Sequence, residues 1–164
     1  MTSDTRKKFA RLLAVSIPMA ALDQLTKWWV QKAIPLYEEI PVIPGFFSLT
    51  HAHNPGGAFG VFASHGPTVR IALFMVLTLV AAGMVLYMYY KTPLESRFFA
   101  GALILIFSGA VGNLIDRFRF GYVDDFLLFY HGRWQFPSFN VADSCVTVGV
   151  TILVIHVLFK KEPF

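Results

Sequence analysis

Two aspartates in the last third of the chain have the side chains needed to activate water. Asp125 lies in "YVDDF" and Asp143 in "FNVADS", 18 positions further on. Two carboxyl groups close together in a low-dielectric setting cannot both ionise easily, so they share a proton and one pKa rises. One can then take a proton from water while the other polarises a carbonyl group. A simpler alternative stays open: Asp143 caps a helix, and Asp124 or Asp125 is a solvated loop charge.

The elements that must position these carboxylates are apolar enough to lie in a membrane. Hydrophobic residues make up 55% of the 164-residue chain and charged residues 15%, with a mean hydropathy of +0.57. Segments 71–90 and 98–115 contain no charged residue. A helix needs about 20 residues to cross a hydrocarbon core roughly 30 Å thick. The sequence therefore predicts an integral membrane protein.

We predict an all-α membrane protein of one domain, residues 1–164, with four transmembrane helices. The predicted spans are about 10–32, 69–90, 98–116 and 142–159. Basic residues at both termini and at the 91–97 turn place that side in the cytoplasm, so segments 33–68 and 117–141 face outward. The basic residues that give the net charge of +4 lie at the ends of the predicted spans and form no single surface, which argues against a nucleic-acid-binding face.

The outward segments have the pattern of short β-hairpins. "EEIPVIPGFFSLTHAHN" has a Pro44–Gly45 turn between two β-prone runs, and "VDDFLLFYHGRWQF" has His131–Gly132 in the same place. We therefore predict a small extracytoplasmic sheet at the membrane surface, with aromatic side chains facing lipid headgroups.

Polar residues inside the predicted spans supply candidate supporting groups. Asn113 and Arg117 in "GNLIDR" share a helix face, and Arg117 could bind a carboxylate or a lipid phosphate. Alternatively, Asp116 and Arg117 neutralise each other at a helix end. Asp23 and Lys27, four positions apart, form an intrahelical ion pair or face a substrate.

The histidines and the single cysteine are weaker candidates. His51 and His53 point the same way on a strand, but a zinc site would need His65 or His131 to complete it. No H-E-x-x-H motif is present, so we predict no metal and no cofactor. No positioned histidine base is evident beside Cys145, which argues against a thiol nucleophile.

Five motifs together resemble the lipoprotein signal peptidases, also called signal peptidase II. They are "DQLTK" (23–27), "HNPGGAFG" (53–60), "GNLIDR" (112–117), "YVDDF" (122–126) and "FNVADS" (139–144), in the order of that family. The resemblance implies four transmembrane helices with a small extracytoplasmic sheet and a short helix. It also implies an aspartic endopeptidase of the bacterial cytoplasmic (inner) membrane. Such enzymes remove signal peptides from prolipoproteins, cutting before a cysteine that carries diacylglycerol.

The resemblance assigns roles to individual residues. It implies that Asp125 and Asp143 are the catalytic pair, acting without a cofactor. The matching supporting positions are Asp23, Lys27, Asn54, Gly56, Asn113, Arg117 and Asn140. The implied partners are prolipoprotein substrates and membrane lipid, and we expect a monomer that binds no nucleic acid.

Two positions depart from the family's pattern. Gly57 replaces the first alanine of N-x-G-A-A-F, and Asp124 stands where the family commonly has valine. Because neighbouring strand residues point to opposite faces, Asp124 and Asp125 cannot both enter the site, and we expect Asp124 to face solvent. A non-enzymatic alternative is a small transport or assembly protein that uses its membrane carboxylates to move protons or ions.

Overall fold

A computed structural model describes residues 2–56 and 66–159. Its elements, in chain order, are α1 (Ser3–Ala33), β1 (Glu39–Ile43), β2 (Phe47–Asn54), α2 (Pro67–Lys91), α3 (Arg97–Phe120), β3 (Val123–His131), β4 (Trp134–Gln135) and α4 (Val141–Phe159). The strands pair antiparallel in the order β1-β2-β3-β4. Both predicted hairpins are present, with Gly45 (φ 80°) and Gly132 (φ 58°) supplying the left-handed turn residues. The predicted short helix is not among the elements of the described residues, and residues 57–65 lie outside them.

Three helices in the described part of the chain are long and apolar enough to cross a membrane. They are α2, α3 and α4, with mean hydropathies of 2.4, 2.1 and 2.0 in their most apolar windows. The first predicted span lies within α1, which carries Asp23 and Lys27 inside the helix. The structure therefore gives a helical membrane protein with a small antiparallel sheet.

Helices α3 and α4 approach each other closely at glycines. A Cβ atom on Gly149 would lie 2.7 Å from the carbonyl oxygen of Ala102, and one on Gly109 would collide with the carbonyl oxygen of Ala142. Small residues allow backbones to pack in this way inside a membrane, where no hydrophobic effect drives helices together. The two contacts hold α4 antiparallel to α3, with the start of α4 beside the middle of α3.

Helix α1 connects the two ends of the molecule. Near its start, Lys8 Nζ donates to the backbone oxygen of Tyr90 at 2.8 Å, and Arg11 donates to that of Leu94 at 3.2 Å. Near its end, Val30 packs with Phe126 of β3 in one buried cluster. The basic start of α1 and the α2–α3 turn therefore lie at one end, and the sheet lies at the other.

Helix α3 continues beyond the predicted boundary at residue 116. It ends at Phe120, where Gly121 adopts φ 78° and donates from its backbone nitrogen to the oxygen of Arg117 at 3.0 Å. The left-handed glycine ends the helix, as is common at helix C-termini. Asp116 therefore lies about one turn before the end of the helix, where it is buried.

Candidate active site

Asn140 fixes the position of Asp143 at the start of α4. Its side-chain oxygen accepts a 2.9 Å hydrogen bond from the backbone nitrogen of Asp143, while Asp143 Oδ2 accepts one of 3.3 Å from the backbone nitrogen of Asn140. This reciprocal pattern is a capping box, with asparagine as the cap and aspartate three positions later. The alternative in which Asp143 caps a helix is therefore correct in part. Oδ2 takes part in the cap, whereas Oδ1 accepts a hydrogen bond from Asn113.

Asp125 lies in the buried first half of β3 and is 2% exposed. Asn54 of β2 donates to Asp125 Oδ2 at 2.9 Å, and Asn140 donates to Oδ1 at 2.8 Å. Asn140 reaches β3 because Phe139 pairs with Leu127 through backbone hydrogen bonds of 2.8 Å and 3.1 Å. The segment before α4 therefore docks on the strand that carries the first carboxylate.

The pKa of Asp125 is raised to about 7. Burial is the larger cause and the negative charge of Asp143 the second, while hydrogen bonds from Asn54 and Asn140 act in the opposite direction. Burial penalises the charged form of a carboxyl group, and a nearby like charge adds to that penalty. At neutral pH, Asp125 therefore retains a proton for a large part of the time.

One cavity of about 720 Å³ is lined by both carboxylates. Asn54 also lines it, and Phe139 and Val148 contribute apolar surface. A concave, mostly apolar pocket with a few converging polar groups is the usual form of a small-molecule or peptide site. The predicted pair is thus brought together at one binding surface, between the sheet and α4.

Asn113 on α3 connects this pair to a buried charge network. Its side-chain nitrogen donates to Asp143 Oδ1 at 2.7 Å, and its oxygen accepts from Asn140 at 3.1 Å and from Lys27 at 3.2 Å. The second oxygen of Asp143 therefore also has a partner. Arg117, one turn later, donates to the backbone oxygen of Asn113 at 3.3 Å.

Lys27 pairs with two carboxylates inside the helical bundle. Its Nζ atom lies 2.8 Å from Asp23 and 2.7 Å from Asp116, and all three side chains are at most 2% exposed. Asp116 thus pairs with Lys27 from another helix and also accepts a 2.7 Å bond from Gln24. The alternative of a pair between Asp116 and its neighbour Arg117 is replaced by this network.

Asp23 also supports the start of α4. Its Oδ1 atom accepts a 2.9 Å hydrogen bond from the backbone nitrogen of Ala142, one of the amide groups that a helix leaves without an internal partner. A Cβ atom on Gly112 would lie 2.7 Å from Asp23 Oδ2, so this glycine makes room for the carboxylate. Asp23 therefore joins α1, α3 and α4 beneath the site.

Comparison with known proteins identifies the family. Residues 15–159 match the family described as Signal peptidase (SPase) II. The chain belongs to the signal peptidase II family. Lipoprotein signal peptidases of Desulforapulum autotrophicum and Geobacter sulfurreducens are 52% and 42% identical to it, and the alignments cover 96% and 91% of this chain and 97% and 92% of theirs. The resemblance carried by the five motifs is thereby confirmed.

Solved structures agree with the family assignment. A bacterial membrane enzyme determined by the in meso method at 1.9 Å resolution superposes with a TM-score of 0.81 at 30% identity, covering 93% of this chain and 95% of that one. A second, determined by the same method at 2.3 Å, gives a TM-score of 0.80 at 28% identity over 94% of each chain. This member of the signal peptidase II family therefore has the fold of a known membrane enzyme.

Asp124 does not face solvent in this family member, and that prediction was wrong. The residue is 0% exposed, and its carboxylate lies among Gln31, His51 and His53. Alternation along the strand does separate it from Asp125, as expected. The error arose because β3 is buried on both faces near its start, so the face opposite the cavity is covered as well.

The glycine-rich motif is described only up to Gly56. Gly56 has φ 100°, and its backbone nitrogen donates to the side-chain oxygen of Asn54 at 3.0 Å, which turns the amide nitrogen of Asn54 towards Asp125. A side chain at Gly56 would collide with the ring of Phe74. Gly57, the departure from the family's usual pattern, lies outside the described residues.

Gln24 and Gln31 contribute polar contacts that sequence reasoning did not single out. Gln24 donates to Asp116, and Gln31 donates to Asp124. Gln31 follows Lys27 by four positions, as Lys27 follows Asp23, so helical spacing alone puts all three on one face. This four-residue spacing is the sequence signal that could have identified Gln31.

Proposed function

We propose that this chain is an aspartic endopeptidase that removes signal peptides from diacylglyceryl-modified prolipoproteins, cutting before the lipidated cysteine. Membership of the signal peptidase II family and the names of its relatives support the substrate class. The observation that carries the mechanism is the meeting of Asp125 and Asp143 at one cavity, with Asn140 bonded to both. A pair that shares one proton is the arrangement that activates water for peptide hydrolysis.

The two carboxyl groups divide the chemistry between them. Asp143, whose oxygens accept hydrogen bonds from Asn113 and Asn140, takes a proton from the attacking water. Asp125 donates its proton to the oxygen of the scissile carbonyl, which gives a neutral tetrahedral diol. Asp143 then passes its proton to the leaving amine as the C–N bond breaks, and the collapsing hydroxyl group returns a proton to Asp125. The pair thus recovers its starting protonation.

The surrounding amides hold the pair and the substrate in place. Asn54 and Asn140 keep Asp125 in one orientation, which lowers the cost of reaching the reactive geometry. Arg117 donates to the backbone oxygen of Asn113, whose side chain in turn bonds to Asp143. We assign Arg117 to a substrate carbonyl or a lipid phosphate, and the buried network of Asp23 and Lys27 to support.

We assign α1 as the fourth transmembrane helix. Between residues 13 and 29 every exposed residue is apolar, including Ile17, Leu25 and Trp28, whereas Asp23 and Lys27 face the interior. Seventeen residues at about 1.5 Å each span roughly 25 Å, close to the thickness of a hydrocarbon core. Ionisable groups inside a membrane are tolerated when they pair within the bundle, as these do.

We place both termini in the cytoplasm of a bacterium and the site at the extracytoplasmic face of its inner membrane. The basic start of α1 lies with the α2–α3 turn at the end away from the sheet, which agrees with the positive-inside rule. Exposed Trp134 and Phe136 near the sheet suit the headgroup region of the outer leaflet, whose hydrocarbon would hold the acyl chains of the substrate. One chain supplies every residue assigned above, so a monomer suffices.

The test is cleavage of a synthetic prolipoprotein peptide by the purified protein in detergent. We expect a single cut before the cysteine when it carries diacylglycerol, and much slower cleavage of the unlipidated peptide. Equal cleavage of both would contradict the substrate assignment. The transport alternative instead predicts ion flux in liposomes that depends on Asp125 and Asp143, with the lipidated peptide left intact.

A further inference from the structure

Three side chains with metal-ligand atoms converge on the face of β3 opposite the proposed catalytic pair. Asp124 Oδ1 lies 3.4 Å from Nε2 of His51 and 3.4 Å from Nε2 of His53. The three atoms lie within 4.8 Å of one another. His53 is the direct partner of Asp124 in the β2–β3 register, so the backbone itself sets this approach.

The hydrogen bond of His51 determines which of its two ring nitrogens carries the proton. The other nitrogen faces Asp124 with a lone pair. His51 Nδ1 lies 2.9 Å from the backbone oxygen of Ile34, and a carbonyl oxygen can only accept, so Nδ1 carries the proton. In the neutral ring, Nε2 is then an acceptor. Both His51 Nε2 and Asp124 Oδ1 are buried and lack a hydrogen-bond partner within the described residues. Two buried acceptors facing each other are unfavourable unless a cation, a proton or a water molecule that donates to both satisfies them.

The separation of these atoms distinguishes a cation from a direct hydrogen bond. An N–H···O bond usually has a donor–acceptor distance of about 2.7–3.2 Å, shorter than the 3.4 Å found for each His–Asp124 pair. Two ligand atoms bound tetrahedrally to one zinc ion, each about 2.1 Å from it, lie about 3.4 Å apart. The Nε2 atoms of His51 and His53 lie within 4.8 Å of each other, so zinc binding requires His53, whose side chain is 23% exposed, to move closer to His51.

We propose that His51, His53 and Asp124 bind a zinc ion that links β2 to β3. Two imidazoles and one carboxylate suit zinc, whereas calcium and magnesium prefer oxygen ligands alone. The fourth tetrahedral position is left for water. The third ligand is thus Asp124 and neither of the histidines considered from sequence: His131 lies at the far end of β3, and His65 is outside the described residues.

Neighbouring groups favour zinc binding at this site. The ring of His53 stacks on Tyr122 with a centroid separation of 3.7 Å, which holds its plane. Gln31 donates to the second oxygen of Asp124, as outer-shell partners of metal-binding carboxylates do.

The zinc site stabilises the sheet behind the active site and takes no part in the hydrolysis. Asn54 follows His53 directly, and Asp125 follows Asp124, so a metal that joins one pair also restrains the other through the backbone. The alternation of side chains keeps the ion on the opposite face of β3 from the cavity. This inference does not depend on the proposed peptidase activity.

The test is zinc titration of the full-length protein, purified in detergent without a histidine tag and stripped with chelator. We expect one equivalent to bind, measured by calorimetry and by metal analysis after gel filtration. At a free zinc concentration about 100-fold above the Kd, the Tm should rise by roughly 5–10 °C. His53→Asn and Asp124→Asn should each abolish both effects, while His131→Asn, the matched control, should retain them.

Two results would overturn the proposal. One is the absence of stoichiometric zinc binding to the wild-type protein. A proton or a water molecule would then satisfy His51 and Asp124. The other is binding that survives in His53→Asn and Asp124→Asn. If those variants fail to fold, cobalt substitution of the wild-type protein decides: four-coordinate Co²⁺ gives strong visible absorption, and a weak octahedral spectrum contradicts the site.

Discussion

Asn140 donates a 2.8 Å hydrogen bond to Asp125 with the same side chain that caps α4. Asn140 thus holds Asp125 directly, and it holds Asp143 by capping the helix on which Asp143 lies. Because the two carboxylates come from a strand and a helix, their relative position depends on this link. A change at Asn140 should therefore affect turnover more than it affects stability.

For Asn140→Ala we expect cleavage of the lipidated peptide to fall about 100-fold, since small displacements of reacting groups cost this much. Loss of the cap should lower the Tm by roughly 2–4 °C. Thr151→Ala is the control, because the Thr151 hydroxyl lies on the same helix and, among the described residues, bonds only to the backbone oxygen of Thr147. Wild-type turnover in Asn140→Ala, measured by peptide release, would show that the link is dispensable.

The raised pKa of Asp125 predicts a pH-dependent rate. As the pH rises through about 7, Asp125 loses the proton it must donate to the carbonyl group, so kcat/KM should fall on the alkaline side with a midpoint near that value. A pH–rate profile in detergent measures this. A rate that stays flat from pH 6 to 9 would contradict the assignment of Asp125 as the proton donor.

The same group makes folding stability pH-dependent, with a defined sign. The ordinary pKa of an aspartate is 3.8 and that of Asp125 in the fold is about 7, so the folded chain keeps a proton that the unfolded chain releases. This contribution to stability is complete below pH 4 and is lost as the pH rises towards 7. Asp125→Asn should remove this part of the Tm dependence on pH. An identical pH dependence in both proteins would argue against the raised pKa.

Lys27→Met should be the most destabilising change in the bundle. It leaves Asp23 and Asp116 buried without their cation, which costs about 3–5 kcal/mol when one partner of a buried pair is removed. Thermal unfolding in detergent measures the loss. Lys32→Met, an exposed position on the same helix, should have little effect. Equal Tm values for the two variants would mean that the network contributes no stability.

Gly56→Ala should impair the orientation of Asn54. A non-glycine residue at φ 100° costs about 1–3 kcal/mol, and its Cβ would meet the ring of Phe74. Displacement of Gly56 weakens its bond to Asn54, so we expect at least a tenfold loss of kcat/KM in the peptide assay. Gly66→Ala has open space around the added atom and should behave as wild type. A fully active Gly56→Ala would exclude this positioning role.

The sequence was sufficient to predict the elements whose patterns are local. Uncharged runs of membrane-spanning length indicated α2 and α3, and the glycine turns indicated both hairpins. The short loop between the third and fourth predicted spans placed Asp125 and Asp143 at the same outer boundary. These predictions succeeded because helix period, turn chemistry and apolar length depend on neighbouring residues alone.

Features that depend on packing between distant elements were not predictable. The burial of Asp124 depends on Gln31 of α1 and two histidines of β2, none of which is local to β3. Likewise, Asp116 pairs with Lys27 from another helix, since adjacent helix residues such as Arg117 do not face each other. A single sequence gives the face on which a side chain lies but not what covers that face.

The most direct measurement compares Asp125→Asn, Asp143→Asn and Asp124→Asn in one cleavage assay with a lipidated peptide. Each protein is first shown to be folded by its elution profile and Tm. We predict that the first two lose activity by about 100- to 10,000-fold, the range expected for removal of a general acid or base, while Asp124→Asn keeps most of it. An active Asp125→Asn or Asp143→Asn protein, or loss of activity in Asp124→Asn alone, would contradict the proposed carboxylate pair.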